Sequence, residues 1–186
     1  MDLEQQIEII NDSINQTKEN LRPLAFNFVF WGSLIIIMSL FHFFFTSLIE
    51  FYEYSALIYW TSIPFLGFLF SLYYNIKMGH KIGFQTIIGR SLSVIWSVFF
   101  ISWIVLIISS FIIKKSPVES IIFLLGVTTL TTGRIIRNVY ITIGGFILLF
   151  VYLYLLTNPN LNLLLINSVA LFFGFLLPGL SLYYKR

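Results

Sequence analysis

Few side chains in this sequence combine chemical reactivity with apolar surroundings. His42 lies in the stretch SLFHFFFTS, and Thr128, Thr129 and Thr132 lie in GVTTLTTG. Polar residues in membrane segments are costly, and they serve as proton relays, ligand contacts or helix-packing contacts. A relay needs a partner, and the apolar run around His42 contains no carboxylate. We therefore expect His42 to be a packed or interfacial histidine.

The threonines have two interpretations. Small residues at four-residue spacing, such as Thr129 and Gly133, let helix backbones approach closely, and Gly144 and Gly145 follow in the next apolar run. The first interpretation is close packing of these two segments. The second is a polar pore lining formed by the threonines.

The stretch TTGRIIRN, residues 131–138, places Arg134 and Arg137 between two apolar runs. The two guanidinium groups could contact lipid phosphates or another anion, or they could only set the topology, with their stems reaching to the interface. If the two runs formed one span, each charge would cost about 2.5–3.5 kcal/mol at membrane depth. The sequence therefore predicts a turn here between two spans.

The remaining ionisable residues do not assemble an enzyme site. The chain has no cysteine, and its carboxylates lie in the N-terminal segment, in the loop with Glu50 and Glu53, or at Glu119. No HExxH motif, glycine-rich phosphate loop or paired intramembrane aspartate is present. We expect a protein without catalytic activity that binds no metal, cofactor or nucleic acid.

The composition indicates an all-α polytopic membrane protein. Hydrophobic residues make up 58% of the chain and charged residues 10%, and the mean hydropathy is +0.91, whereas a soluble domain carries about 25% charged residues. A helix crosses the bilayer core with about 20 apolar residues. Six segments reach or approach that length: about 24–49, 56–76, 91–113, 118–136, 139–156 and 161–183.

The distribution of lysine and arginine predicts the orientation of these spans. If both termini are cytoplasmic, only Lys114 and Lys115 fall on the outer side, and every other lysine and arginine falls on the inner side. This asymmetry follows the positive-inside rule. We expect six spans with the N and C termini in the cytoplasm.

Residues 1–22 are predicted to form a cytoplasmic amphipathic helix before the six-helix domain, residues 23–186. Its polar face is acidic, whereas membrane-surface helices have a basic one. Its apolar stripe is therefore expected to pack against protein, and a loosely ordered leader is the alternative. The stripe consists of Leu3, Ile7, Ile10 and Ile14.

The last predicted span contains Pro178 near its inner end. Proline has no backbone amide, so it leaves the carbonyl of Gly174 without its helical donor. The sequence therefore predicts a kink near this end of the span.

Several stretches resemble a family of multi-pass inner-membrane proteins of Bacteroidota. They are LEQQIEIINDSINQTKENL with FVFWGSLIIIMSLFHFFF, GVTTLTTGRIIRN with ITIGGF, and LLPGLSLYYKR. The chain departs from the pattern in having Trp31-Gly32-Ser33 instead of WGW, and Val139 and Tyr140 instead of a proline after the arginines. The resemblance implies a bacterial inner membrane and no recognised chemistry.

Three functions fit these expectations. The first is a structural, accessory or regulatory subunit that associates through its helices with further copies or with another membrane or cytoplasmic protein. The second is a small oligomeric pore or membrane-permeability effector, for example an accessory protein of an antiviral defence system, and the third is a facilitative transporter. Membrane lipids are expected partners in all three.

Overall fold

The computed structural model of the chain describes residues 21–82, 87–113 and 116–184. These residues form helices and turns and contain no β-strand. Six helices are long and apolar enough to cross a membrane, so the chain is a multi-pass membrane protein of the predicted all-α class. They are α1 (Arg22–Phe44), α2 (Ser55–Ile82), α3 (Ile87–Ile113), α4 (Val118–Ile135), α5 (Val139–Thr157) and α6 (Leu163–Tyr184).

The first predicted span, 24–49, is divided in the structure. α1 ends at Phe44, and a separate helical turn, Thr46–Ile49, follows it. The hydroxyl of Thr46 donates to the carbonyl of His42 at 2.9 Å. This side-chain hydrogen bond competes with the backbone hydrogen bond that a continued helix would form. The sixth span contains a π-helical segment, Phe172–Leu176.

The turn predicted at the two arginines is confirmed. α4 ends at Ile135 and α5 begins at Val139, and the two helices pack antiparallel along their whole length. Glycines make this possible: a Cβ atom added at Gly133 would clash with the backbone of Thr142, and one added at Gly145 would clash with the backbone of Leu130. The predicted close packing of these two helices is therefore also confirmed.

α1 and α6 pack in the same manner on the other side of the core. A Cβ added at Gly32 would lie 3.2 Å from Cβ of Leu176, and one at Gly179 would lie 2.5 Å from Cβ of Phe28. The Phe28 ring stacks on Phe175 with centroids 4.2 Å apart. The core thus lies among α1, α4, α5 and α6. Its largest fully buried apolar side chains are Phe28, Ile122, Ile141, Leu148 and Leu155.

The predicted distortion near Pro178 takes the form of the π-helical segment. Within it, the carbonyl oxygen of Gly174 lies against Gly144 of α5, where a Cβ atom would clash with it. The amide of Leu177 donates to the carbonyl of Phe172, five residues earlier. The wider helix turn accommodates the proline and brings α6 close to α5.

α2 and α3 lie at the periphery of this core. In the most apolar 18-residue stretch of α3, only 6% is buried, against 44% in the corresponding stretch of α6. Aromatic rings attach α3 to α1: Trp96 lies edge-on to Phe28 at 5.7 Å, and Phe100 lies 6.2 Å from Trp31. Most of the surface of α3 is therefore available to lipid or to another protein.

Charge is separated between the two ends of the bundle in the described residues. The antiparallel order places the cations at one end and the carboxylates at the other. This separation agrees with the predicted asymmetry, while the side that faces the cytoplasm stays a prediction. Among the described side chains, the cations are Arg22, Lys77, Arg90, Arg134 and Arg137, and the carboxylates are Glu50, Glu53 and Glu119.

We predict that Gly145→Ala lowers the free energy of unfolding by about 1–3 kcal/mol, because the added methyl group meets the backbone of Leu130, which cannot rotate away. Gly67→Ala is the control, since there the methyl group would overlap the end of the flexible Leu34 side chain and meet the Trp31 ring at an ordinary contact distance of 3.4 Å. Reversible denaturation in detergent micelles measures both. Equal effects of the two substitutions would contradict this packing.

Candidate functional site

The turn between α4 and α5 positions the two arginines. The amide of Asn138 donates to the carbonyl of Gly133 at 2.9 Å, and the amide of Arg137 donates to that of Arg134 at 3.4 Å. These two bonds form a Schellman motif in which Arg137 takes the left-handed position, with φ 53°. A residue other than glycine costs about 1–2 kcal/mol there. Arg137 thus occupies a position at which glycine would make the folded protein more stable.

Asn138 ends this turn and begins the next helix. Its side-chain oxygen accepts a hydrogen bond from the amide of Ile141 at 3.2 Å, so Asn138 is the N-cap of α5. This bond also orients the side-chain amide, because the oxygen is engaged and the NH₂ group is left as a donor. No acceptor for that NH₂ group lies among the described residues.

A cleft of about 540 Å³ lies beside the turn. Neither Arg134 nor Arg137 forms an ion pair within the described part of the chain, and no acidic side chain lines the cleft. The predicted anion-contact residues are thus brought together in one concave surface. The lining residues are Gly133, Arg134, Arg137, Asn138, Val139, Thr142, Ile143 and Phe146.

His42 lies in a second polar cluster, at the opposite end of the bundle. Its Nε2 atom lies 2.9 Å from Oε1 of Glu50, and Nε1 of Trp60 donates to its Nδ1 at 2.9 Å. His42 is 6% exposed, whereas the Glu50 side chain is 53% exposed. The expectation that His42 lacks a carboxylate partner is therefore wrong: the chain turns back after Thr46–Ile49 and brings Glu50 to it.

The hydrogen bonds of His42 determine its tautomer. The indole of Trp60 can only donate, so Nδ1 must accept and the hydrogen of the neutral ring lies on Nε2, where it points to Glu50. With the hydrogen on Nε2 and Nδ1 engaged by the Trp60 indole, the ring has no free nitrogen that could accept a further proton. The cluster therefore connects α1 to α2 and does not continue as a relay across the membrane.

The three threonines face the packed interior. Thr129 and Thr132 are 0% exposed and Thr128 is 6% exposed. The hydroxyl of Thr128 donates to the carbonyl of Leu124 at 2.8 Å, whereas the hydroxyls of Thr129 and Thr132 have no partner among the described residues. Side chains without exposed surface cannot contact water in a channel, so the predicted pore lining by these threonines is wrong.

Sequence reasoning missed two polar contacts between spans. The first joins α1 to α2: Asn27 donates to Asn75 at 2.9 Å and accepts from Ser71 at 2.7 Å. The second joins α1 to α6, where Asn167 donates to the buried hydroxyl of Ser39 at 2.9 Å. Each asparagine is an amide in an apolar segment that requires a hydrogen-bonding partner, and this requirement could have identified them.

Part of the predicted surface falls beyond the described residues. The stripe Leu3, Ile7, Ile10 and Ile14 belongs to residues 1–20, which the structure does not describe. The predicted docking of this stripe against protein stays a prediction. Among the residues that are described, no group of three or more histidine and acidic side chains could hold a metal ion.

We predict that His42 is neutral with its hydrogen on Nε2. Nitrogen-15 NMR of histidine-labelled protein measures this directly, because the chain contains only His42 and His80. Trp60→Phe removes the donor to Nδ1 and is expected to yield a mixture of tautomers. Trp103→Phe is the control because Trp103 takes no part in the hydrogen bonds of His42. A wild-type resonance from Nδ1–H at His42 would contradict the assignment.

Comparison of the chain with protein-family models, curated proteins and solved structures gives no significant match. The resemblance to multi-pass inner-membrane proteins of Bacteroidota therefore stays a prediction. Within the described residues, the arginine-lined cleft and the histidine cluster are the features from which a function can be argued.

Proposed function

We propose that this chain is a non-catalytic subunit of a bacterial inner-membrane assembly that acts through helix–helix association. The structural, accessory or regulatory role comes from surfaces presented to other chains. The main observation in support is the exposure of α3, the least buried of the six candidate spans.

The exposed side of α3 carries a regular stripe. Six β-branched residues recur at spacings of four and three, and each of them is more than half exposed. Such a seven-residue repeat is the pattern by which helices interdigitate along a shared seam. β-Branched side chains also lose little rotamer freedom when they pack, because their χ1 angles are already restricted in a helix. The stripe consists of Val94, Val98, Ile101, Val105, Ile108 and Ile112.

A second copy of this chain is the occupant that suits the stripe best. A repeat of similar residues at constant spacing is complementary to itself, as a two-fold interface requires. Ser97 lies beside the stripe and is exposed, and its hydroxyl is already satisfied by the carbonyl of Ser93 at 2.7 Å. A small residue at this position allows two helices to approach closely.

The N-terminal segment and the basic end extend this proposal to other partners. The segment 1–22 is acidic, whereas the described ends of α2 and α4 carry cations. Charge complementarity therefore favours docking of that segment on the basic end, either within one chain or between neighbouring copies. Its apolar stripe then provides the contact that holds it.

An oligomeric pore is the second candidate, and the exposed Ser93 and Ser97 favour it over a transporter. Such a pore lies between copies and is lined by α3, since Thr128, Thr129 and Thr132 of α4 are buried. Dye release from vesicles that contain the purified chain, reduced by Ser97→Leu, would support this candidate. Intact vesicles across lipid compositions and voltages would exclude it.

We predict that a cysteine at Val98 forms disulfide-linked dimers under mild oxidation in native membranes, because this position faces the same position of a second copy. Phe150→Cys on α5 is the control, since Phe150 is 70% exposed but lies outside the stripe. The chain has no native cysteine, so each product reports one position. Equal yields at the two positions, or no dimer from Val98→Cys, would contradict association through α3.

A further inference from the structure

We propose that the cleft at the turn between α4 and α5 binds the headgroup of an anionic phospholipid. In this assignment the phosphate contacts Arg134, Arg137 and the side-chain amide of Asn138. The first acyl segment of the lipid lies along the outward wall of α5. The cleft is a binding site and has no catalytic part.

The polar half of the cleft supplies hydrogen-bond donors and positive charge that no carboxylate of the described residues neutralises. Among the described residues, the guanidinium groups of Arg134 and Arg137 have no carboxylate partner, and the side-chain NH₂ group of Asn138 has no acceptor. Guanidinium groups bind phosphate through paired, charge-assisted hydrogen bonds. The ammonium of a zwitterionic headgroup finds no acidic lining residue. The chemistry therefore favours a headgroup with net negative charge.

The apolar half distinguishes a lipid from a soluble anion. Val139, Ile143 and Phe146 line the same cleft, and each is at least half exposed. They recur at spacings of four and three on the side of α5 that faces away from the core. A free phosphate covers none of this surface, whereas a phospholipid covers it with its glycerol and acyl chain.

The backbone conformation of Arg137 favours a binding role over a role in setting the membrane orientation alone. Positive charge near a span end would set the orientation equally well from a neighbouring position with ordinary φ. Arg137 instead occupies the left-handed site of the Schellman motif, where glycine is preferred. The left-handed conformation directs the chain so that Arg134 and Arg137 border one cleft.

The test uses the full chain in detergent micelles and native mass spectrometry with added phosphatidylglycerol, phosphatidylethanolamine or inorganic phosphate. Arg137→Gly removes one guanidinium but relieves the backbone, so the melting temperature is expected to be unchanged or higher. Phosphatidylglycerol affinity is expected to fall about fivefold, the contribution of one arginine near a lipid surface. The double variant Arg134→Lys with Arg137→Lys keeps the charge and the topology. Its affinity for phosphatidylglycerol is expected to fall about tenfold, because the paired hydrogen bonds are lost. Arg90→Lys is the matched control.

Three results would overturn the proposal. Unchanged phosphatidylglycerol binding in Arg137→Gly and in the double lysine variant would show that the cleft is not the site. Equal losses in Arg90→Lys would mean that only general surface charge attracts the lipid. Displacement of phosphatidylglycerol by inorganic phosphate at equal concentration would identify a soluble-anion site. The expected result is selective loss at Arg134 and Arg137 with no competition from phosphate.

Discussion

The cost of leaving charges and polar groups unpaired in lipid is the constraint on which this structure depends. It requires the chain to reverse at Arg134 and Arg137, because a continuous helix would hold both guanidinium groups at membrane depth. Within the turn, the carbonyls at the end of α4 and an amide at the start of α5 find partners in the Schellman motif and the Asn138 cap. The same constraint pairs Asn27 with Asn75, and Asn167 with Ser39.

Close packing then divides the bundle into two parts. Glycines bring α5 against α4 and α6, and α1 against α6, so closely that a single methyl group would meet backbone at Gly144 or Gly145. α2 and α3 join this core less closely: α2 through the asparagine and histidine clusters, and α3 through aromatic rings and its packing against α4. Lipid provides little hydrophobic incentive for helices to associate, so the peripheral helices are the natural place for contacts with other chains.

The sequence was sufficient to predict features that depend on the free-energy cost of placing particular residues in the membrane. It was insufficient for contacts that depend on how a loop folds back onto the helices. The six spans and the turn at the arginines follow from hydropathy and charge, and the close packing of α4 and α5 follows from Gly133 and Gly145. Glu50 could not be assigned to His42, because it lies outside the apolar run and reaches the ring only through the turn at Thr46–Ile49. The burial of Thr129 and Thr132 could not be predicted either, since one helix face can meet a neighbour or water.

Side-specific labelling of two single-cysteine variants tests the reversal at the arginines most directly. Ile136→Cys and Asn160→Cys lie beyond opposite ends of α5, in a chain without native cysteine. A membrane-impermeant maleimide is expected to reach them from opposite faces of the membrane, with position 136 on the cytoplasmic face. Labelling of both from the same face, or a cysteine at 136 that reacts only after the membrane is dissolved, would contradict the reversal.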